Sequence, residues 1–246
     1  MHSIRIAAIP LRTVPKKPEI NKRELERRLE EAMVFEPQMV FLPECTLTGY
    51  LYRENDLKEF AEPIPGPTSD YFSRLSRQYG IFLGAGILES TGEGFYDSAI
   101  LTGPDGNILL HARKINEKPP FRTAKEPSIS TIDGIRLGVL VCGDLFHEYA
   151  PGKMKEKNPH IIWVPLARSF PNRSPDPERW NSEEREIYRK QASKLNAYVV
   201  MVNALETGVQ EPSFGGAMAV NPSGRILRES PHGTDEILII DINTRF

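Results

Sequence analysis

The chain has 246 residues, 39% of them hydrophobic and 26% charged, enough to bury a sizeable core while offering no run of about eighteen apolar residues that could span a bilayer. Its 31 basic and 33 acidic residues leave a formal charge of −2, which excludes a general electrostatic case for nucleic acid or an anionic membrane and turns attention to a small-molecule partner. Two cysteines, Cys45 and Cys142, are too few for a disulfide framework, and five scattered histidines lack the spacing of metal ligands.

In chain order, Met1-His2-Ser3-Ile4-Arg5-Ile6 enters a strand-like alternation without the pattern of a signal peptide, which predicts a cytoplasmic protein. The first strand is Ile4–Pro10. A helix over Glu19–Phe35 follows, with Leu25, Leu29 and Ala32 at helical spacing inside a charged, solvated face. After a strand at Met39–Leu42, Thr68 caps a helix running to Tyr79, and strands Ile81–Leu88 and Tyr96–Leu101 come next. Gly84-Ala85-Gly86 lies in the first of these and reads as a place of close backbone packing, since the third glycine and the helix of a dinucleotide loop are missing.

Pro104-Asp105-Gly106-Asn107 turns the chain into a strand at Asn107–His111, and the buried strand Leu137–Val141 precedes a helix over Leu145–Lys157. Strand Ile161–Val164, a Pro-rich loop at Phe170–Pro177 and a helix over Glu178–Asn196 lead to strand Tyr198–Val202. The chain closes with strands Ala217–Val220, Arg225–Leu227 and Ile237–Ile240, the first two joined by the turn Asn221-Pro222-Ser223-Gly224. Many short strands with few, mostly long helices predict one layered α/β domain over residues 1–246.

Three strand-end residues invite a chemical reading. Cys142, followed by Gly143-Asp144, stands where a buried strand breaks into a turn and helix, a place where backbone N–H groups stabilise a thiolate or an oxyanion. By itself it reads equally well as a small buried core thiol. Glu44, after Met39-Val40-Phe41-Leu42-Pro43, fits a partly buried general base or an ordinary loop carboxylate. Lys114 fits a fixed ammonium that lowers the cysteine's pKa, or a surface lysine. Arg168 fits a carboxylate clamp or an ion-pair residue, while His147, about one helical turn beyond Cys142, stands within reach of a substrate. Cys45 reads as a packed small residue.

Taken together, Phe41-Leu42-Pro43-Glu44 with Thr48-Gly49-Tyr50, then Arg113-Lys114-Ile115, then Val141-Cys142-Gly143-Asp144 resemble, in that order, the glutamate, lysine and cysteine motifs of the nitrilase (carbon-nitrogen hydrolase) superfamily. Phe95-Tyr96-Asp97-Ser98-Ala99 resembles the hairpin before the lysine, and Phe214-Gly215-Gly216 the late Gly-rich strand. The resemblance implies a four-layer α-β-β-α sandwich, a Cys142 thioester, Glu44 as base, and Lys114 with the Gly143 amide at the oxyanion. It further implies a homodimer or higher homo-oligomer, with no metal or organic cofactor.

Many members of that family carry a second glutamate after a Phe beyond the lysine. Here Phe121-Arg122-Thr123 stands instead, leaving Glu117 and Glu126 as substitutes and Tyr50 and Phe121 as substrate neighbours. Gly143-Asp144 resembles the amidase and carbamoylase branches, so a small linear amide or N-carbamoyl compound is the expected substrate. Three alternatives stand beside it: a nitrilase, an acyltransferase to an amine, and a catalytically silent ligand-binding or assembly protein.

Overall fold

The computed structural model describes residues 3–243; the Met1-His2 opening used above lies outside them. The strands are β1 (Ser3–Ala8), β2 (Arg12–Thr13), β3 (Met39–Phe41), β4 (Phe82–Thr91), β5 (Gly94–Thr102), β6 (Ile108–Arg113) and β7 (Ile129–Ile132). They continue with β8 (Ile135–Val139), β9 (Ile161–Leu166), β10 (Tyr198–Asn203), β11 (Leu205–Glu206), β12 (Ala217–Val220), β13 (Ile226–Glu229) and β14 (Leu238–Asn243). The helices are α1 (Pro18–Met33), α2 (Glu54–Phe60), α3 (Pro67–Tyr79), α4 (Tyr149–Glu156), α5 (Pro177–Arg179) and α6 (Arg185–Ser193).

Two six-stranded sheets, ordered β14-β1-β3-β4-β5-β6 and β13-β12-β10-β9-β8-β7, share one apolar core. Each mixes parallel and antiparallel pairs, and the parallel centres β1-β3-β4 and β8-β9-β10 are buried on both faces, hence their unbroken apolar runs. Trp163 of β9 ties the sheets together, stacking on Phe41 of β3 at 5.3 Å and donating its indole N–H to Leu42 O at 3.2 Å. Leu25, Leu29 and Ala32 of α1, with Phe72 and Leu75 of α3, cover the outer face of the first sheet. Ala150 and Met154 of α4, with Tyr188 and Ala192 of α6, pack on the second. The result is the α-β-β-α sandwich expected from the motifs.

Several boundaries differ from the sequence reading. Gly66 rather than Thr68 precedes α3: the Ser69 hydroxyl accepts the Gly66 N–H and donates to its carbonyl. The helix expected over Leu145–Lys157 is a 3-10 turn, Cys142–Phe146, then an extended His147, then α4. Asp144 causes the break, because its carboxylate accepts the backbone N–H groups of Ile115 at 3.1 Å and Asn116 at 2.8 Å and fixes the turn before an α-helix can form. The helix expected over Glu178–Asn196 is interrupted by a π-helical turn at Trp180–Glu184. Helix α2 buries only Leu57 and so lacks an apolar stripe to read, and β7, four residues with a single buried one, carries as little pattern.

Candidate active site

Glu44, Lys114 and Cys142 all follow strand ends and line one cavity of about 300 Å³ between the sheets. The Glu44 loop is clamped to β4 by Leu42 N–H to Gly84 O (2.9 Å), Gly86 N–H to Pro43 O (3.2 Å) and Thr46 N–H to Gly86 O (3.0 Å). That approach requires glycine: a Cβ at Gly86 would lie 2.6 Å from Glu44 Cα and 2.5 Å from Cys45 N. Lys114 is set by the β5–β6 pairing, its N–H donating to Asp97 O at 2.8 Å.

The Lys114 ammonium, 4% exposed, meets three carboxylates: Glu44 Oε1 at 2.7 Å, Asp97 Oδ2 at 2.9 Å and Glu117 Oε2 at 2.5 Å. These three acids could in principle bind a cation, but Lys114 Nζ occupies the point on which they converge. Burial works against the ammonium, yet Asp97 and Glu44 outweigh it and hold its pKa well above the ordinary lysine value. Glu117 also accepts from Tyr50 Oη at 2.9 Å; against its burial, Lys114 draws its pKa below the usual carboxylate value.

Cys142 has φ +46°, an unfavourable conformation for a residue with a Cβ, on the turn that leads out of β8. Beside it, Gly143 leaves open space: a Cβ there would find nothing closer than Asn116 O at 3.9 Å. Burial pushes the Cys142 thiol up, Glu44 adds to the rise, and Lys114, Arg168 and the Ala167 N–H pull it partly back. Lys114 thus lowers the thiol's pKa as expected, but burial, the largest influence, together with Glu44 leaves it above the ordinary cysteine value. Glu44 stands in the same cavity, its Oε2 buried without a hydrogen-bond partner among the described residues.

Comparison with known proteins bears on this arrangement. The carbon-nitrogen hydrolase family model matches residues 5–245. The chain belongs to the carbon-nitrogen hydrolase family. It is 29% identical over 204 residues to an (R)-stereoselective amidase of a Pseudomonas species, covering 81% of this chain and 70% of that protein. An omega-amidase of Homo sapiens is 26% identical, with 97% and 88% covered. A nitrilase of Pyrococcus abyssi is 24% identical, with 98% and 90% covered. In fold, the chain matches Nit3 of Saccharomyces cerevisiae with a TM-score of 0.83 at 20% identity, over 98% and 90% of the two chains.

The remaining candidates divide by position within this carbon-nitrogen hydrolase. Tyr50, Glu117, Gly143 and Arg168 line the cavity. Phe121 does not; it lies behind Tyr50, ring centres 6.2 Å apart, and packs with Cys45, Leu51 and Leu57. His147 is turned away by the extended residue that ends the 3-10 turn and lines a separate surface hollow with Pro151 and Lys155. Glu126 is exposed and paired with Lys157 at 3.1 Å, so Glu117 is the acid that reaches Lys114. Arg168 is braced by Asn203, whose side chain holds its N–H at 2.7 Å and its carbonyl at 3.0 Å. Its guanidinium lies over Phe146 and donates to Tyr188 Oη at 3.3 Å, with no carboxylate paired to it among the described residues.

Two contributors went unread in the sequence. In the sequence Asp97 reads as part of a hairpin, and Asp144 as the end of the cysteine motif with no role of its own. Burial first raises Asp144, and the two N–H donors restrain it, leaving a pKa of about 6. The only signal for either was its place in a motif.

Proposed function

We propose that the chain hydrolyses the C–N bond of a small linear amide or N-carbamoyl compound, with Cys142 as nucleophile. The reading is carried by one observation: a cysteine at positive φ on a strand-to-turn elbow opens into the same cavity as a glutamate and a lysine joined at 2.7 Å. Glu44 takes the thiol proton as sulfur attacks the carbonyl carbon. Lys114 and the Gly143 amide hold the oxyanion; the C–N bond then breaks and the leaving nitrogen takes the proton from Glu44. Water, deprotonated by Glu44, attacks the thioester and returns the thiol. Glu117, held by Lys114 and Tyr50, positions that water, and the Arg168 guanidinium, without a carboxylate partner among the described residues, suits a substrate carboxylate.

The names of the two amidase relatives favour an amide substrate, and the nitrilase relative keeps nitriles as the second reading. A homodimer in the cytoplasm belongs to the same proposal. Helices α4 and α6 expose Tyr149 at 45% and Ile187 at 44%, apolar surface suited to a second copy, which light scattering tests.

The deciding experiment is intact-protein mass spectrometry with a panel of amides, N-carbamoyl compounds and nitriles, anionic and neutral, with ammonia release followed in parallel. An acyl adduct that disappears in Cys142→Ala is the expected result. Adducts from nitriles alone, or acyl transfer to an added amine, would replace the amidase reading. A folded protein with neither adduct nor ammonia across the panel would leave a silent binding protein.

A further inference from the structure

The cluster around Lys114 carries more negative charge than its one ammonium can balance. Glu44, Asp97 and Glu117 each bring a carboxylate oxygen within 4.8 Å of the others. If all three were ionised, three negative charges against one positive would leave −2 in a water-poor cavity, and a Cys142 thiolate would make it −3. Repulsion at such range favours keeping one proton inside the cluster.

Hydrogen bonding says where the proton belongs. Glu117 is served by three donors, Lys114 Nζ, Tyr50 Oη and the Lys118 N–H, which suit its ionised form. Glu44 uses Oε1 for Lys114 and leaves Oε2 buried with nothing to accept from among the described residues. Asp97, fully buried on β5, receives Lys114 on Oδ2, while among the described residues its Oδ1 has only the Cys45 thiol at 3.9 Å. Glu44 and Asp97 bring carboxylate oxygens within 4.8 Å of each other, so an acceptor without a donor among the described residues and a carboxylate short of donors are neighbours, and one proton shared between the two residues serves both.

We propose that Asp97 is a positioning residue held as a neutral carboxylic acid, donating its proton to the Glu44 carboxylate and so orienting Glu44 while sparing the cluster a charge. This rests on Glu44 being the base of the proposed hydrolase. The groups that face Asp97 are Glu44 and Cys45 from the loop after β3, and Lys114 and Glu117 from the segment after β6. Asp144 in the cysteine turn faces it as well. Burial first, then the Glu44 charge, favour the neutral acid, and Lys114 opposes them without prevailing.

Asparagine in place of Asp97 supplies the same two bonds, N–H to Glu44 and a carbonyl oxygen to Lys114, without a proton to lose. Asp97→Asn is expected to keep at least about a tenth of kcat/KM and to lose the alkaline decline that ionisation of Asp97 imposes, whereas Asp97→Ala loses about a hundred-fold or more. Infrared difference spectroscopy at pH 8, where Asp144 is ionised, should show the carbonyl stretch of a protonated carboxyl in the substrate-free protein. That band should vanish in Asp97→Asn and persist in Cys142→Ala. Glu44→Gln, whose amide can donate to Asp97, should also remove it, which serves if the Asp97 variants fail to fold.

No such band, its survival in Asp97→Asn, or a loss of a hundred-fold in Asp97→Asn with an unchanged pH profile would mean that Asp97 is an ionised counter-ion and overturn the proposal. The infrared result needs no turnover, so a missing Cys142 adduct beside a present band would sink the hydrolase reading alone.

Discussion

Two buried carboxylate clusters share the β5–β6 hairpin and are built on opposite principles. Ser98 and Arg113, paired across the two strands, point to one face and hold Glu89; their chain neighbours Asp97 and Lys114 point to the other, where Lys114 holds both Asp97 and Glu44. At Glu89 a single carboxylate meets Arg113 through two bonds, His111 at 3.1 Å and Ser98 at 2.6 Å. Despite the cost of burial, those donors, with His111 and Arg113 foremost, hold its pKa down at about 2. At Lys114 three carboxylates compete for one ammonium, Asp97 is driven up by burial, and one oxygen of Glu44 has no donor among the described residues. The first cluster is balanced and spans three strands as a structural pin. The second is left short of donors beside a cysteine, the condition under which a carboxylate will accept a proton.

The difference can be broken from either side. Lys114→Met should have the largest effect, leaving acids buried without their cation: about 3–5 kcal/mol of stability by urea titration, and a fall in kcat/KM of about a thousand-fold or more. If activity survives, Lys114 is only a counter-ion. Glu89→Gln should cost about 2 kcal/mol at pH 7 and leave kcat/KM within about two-fold. Because Glu89 titrates near 2 in the folded chain and near an ordinary ~4.3 unfolded, its stabilisation is complete above the unfolded value and fades as the pH falls through the folded one. Wild type and Glu89→Gln should therefore converge in stability near pH 2; a gap that persists there would mean that packing, not charge, is lost. The smallest change, Tyr50→Phe, removes one donor from Glu117 and should raise KM or lower kcat by about ten-fold with stability changed by about 1 kcal/mol. An unchanged rate would remove Tyr50 from the site.

Much of this was legible in the chain because each of its three central motifs is local. An apolar run ending in Pro43-Glu44, a turn and strand ending in Lys114, and a buried strand ending in Cys142-Gly143 can be recognised segment by segment, and their order implied the sandwich that the two sheets form. Gly86 also declared itself, since a glycine inside a strand signals close backbone approach, here to Glu44. His147 misled because its placement assumed an unbroken helix, and the break depends on Asp144 reaching a loop 28 residues earlier in the chain.

What the sequence by itself determined was the set of strand ends and the residue types offered there. Only the tertiary structure decided which acid reaches the ammonium, that Glu117 does so and Glu126 does not, and that Asp97 joins them. Alternation along a strand says that Asp97 and Ser98 face opposite ways; which of the two meets Lys114 follows from the register with β6 and the packing of one sheet on the other. The upward push on the thiol's pKa follows the same rule, because a pKa is set by how many charges and how little water surround the group, and those neighbours come from distant parts of the chain.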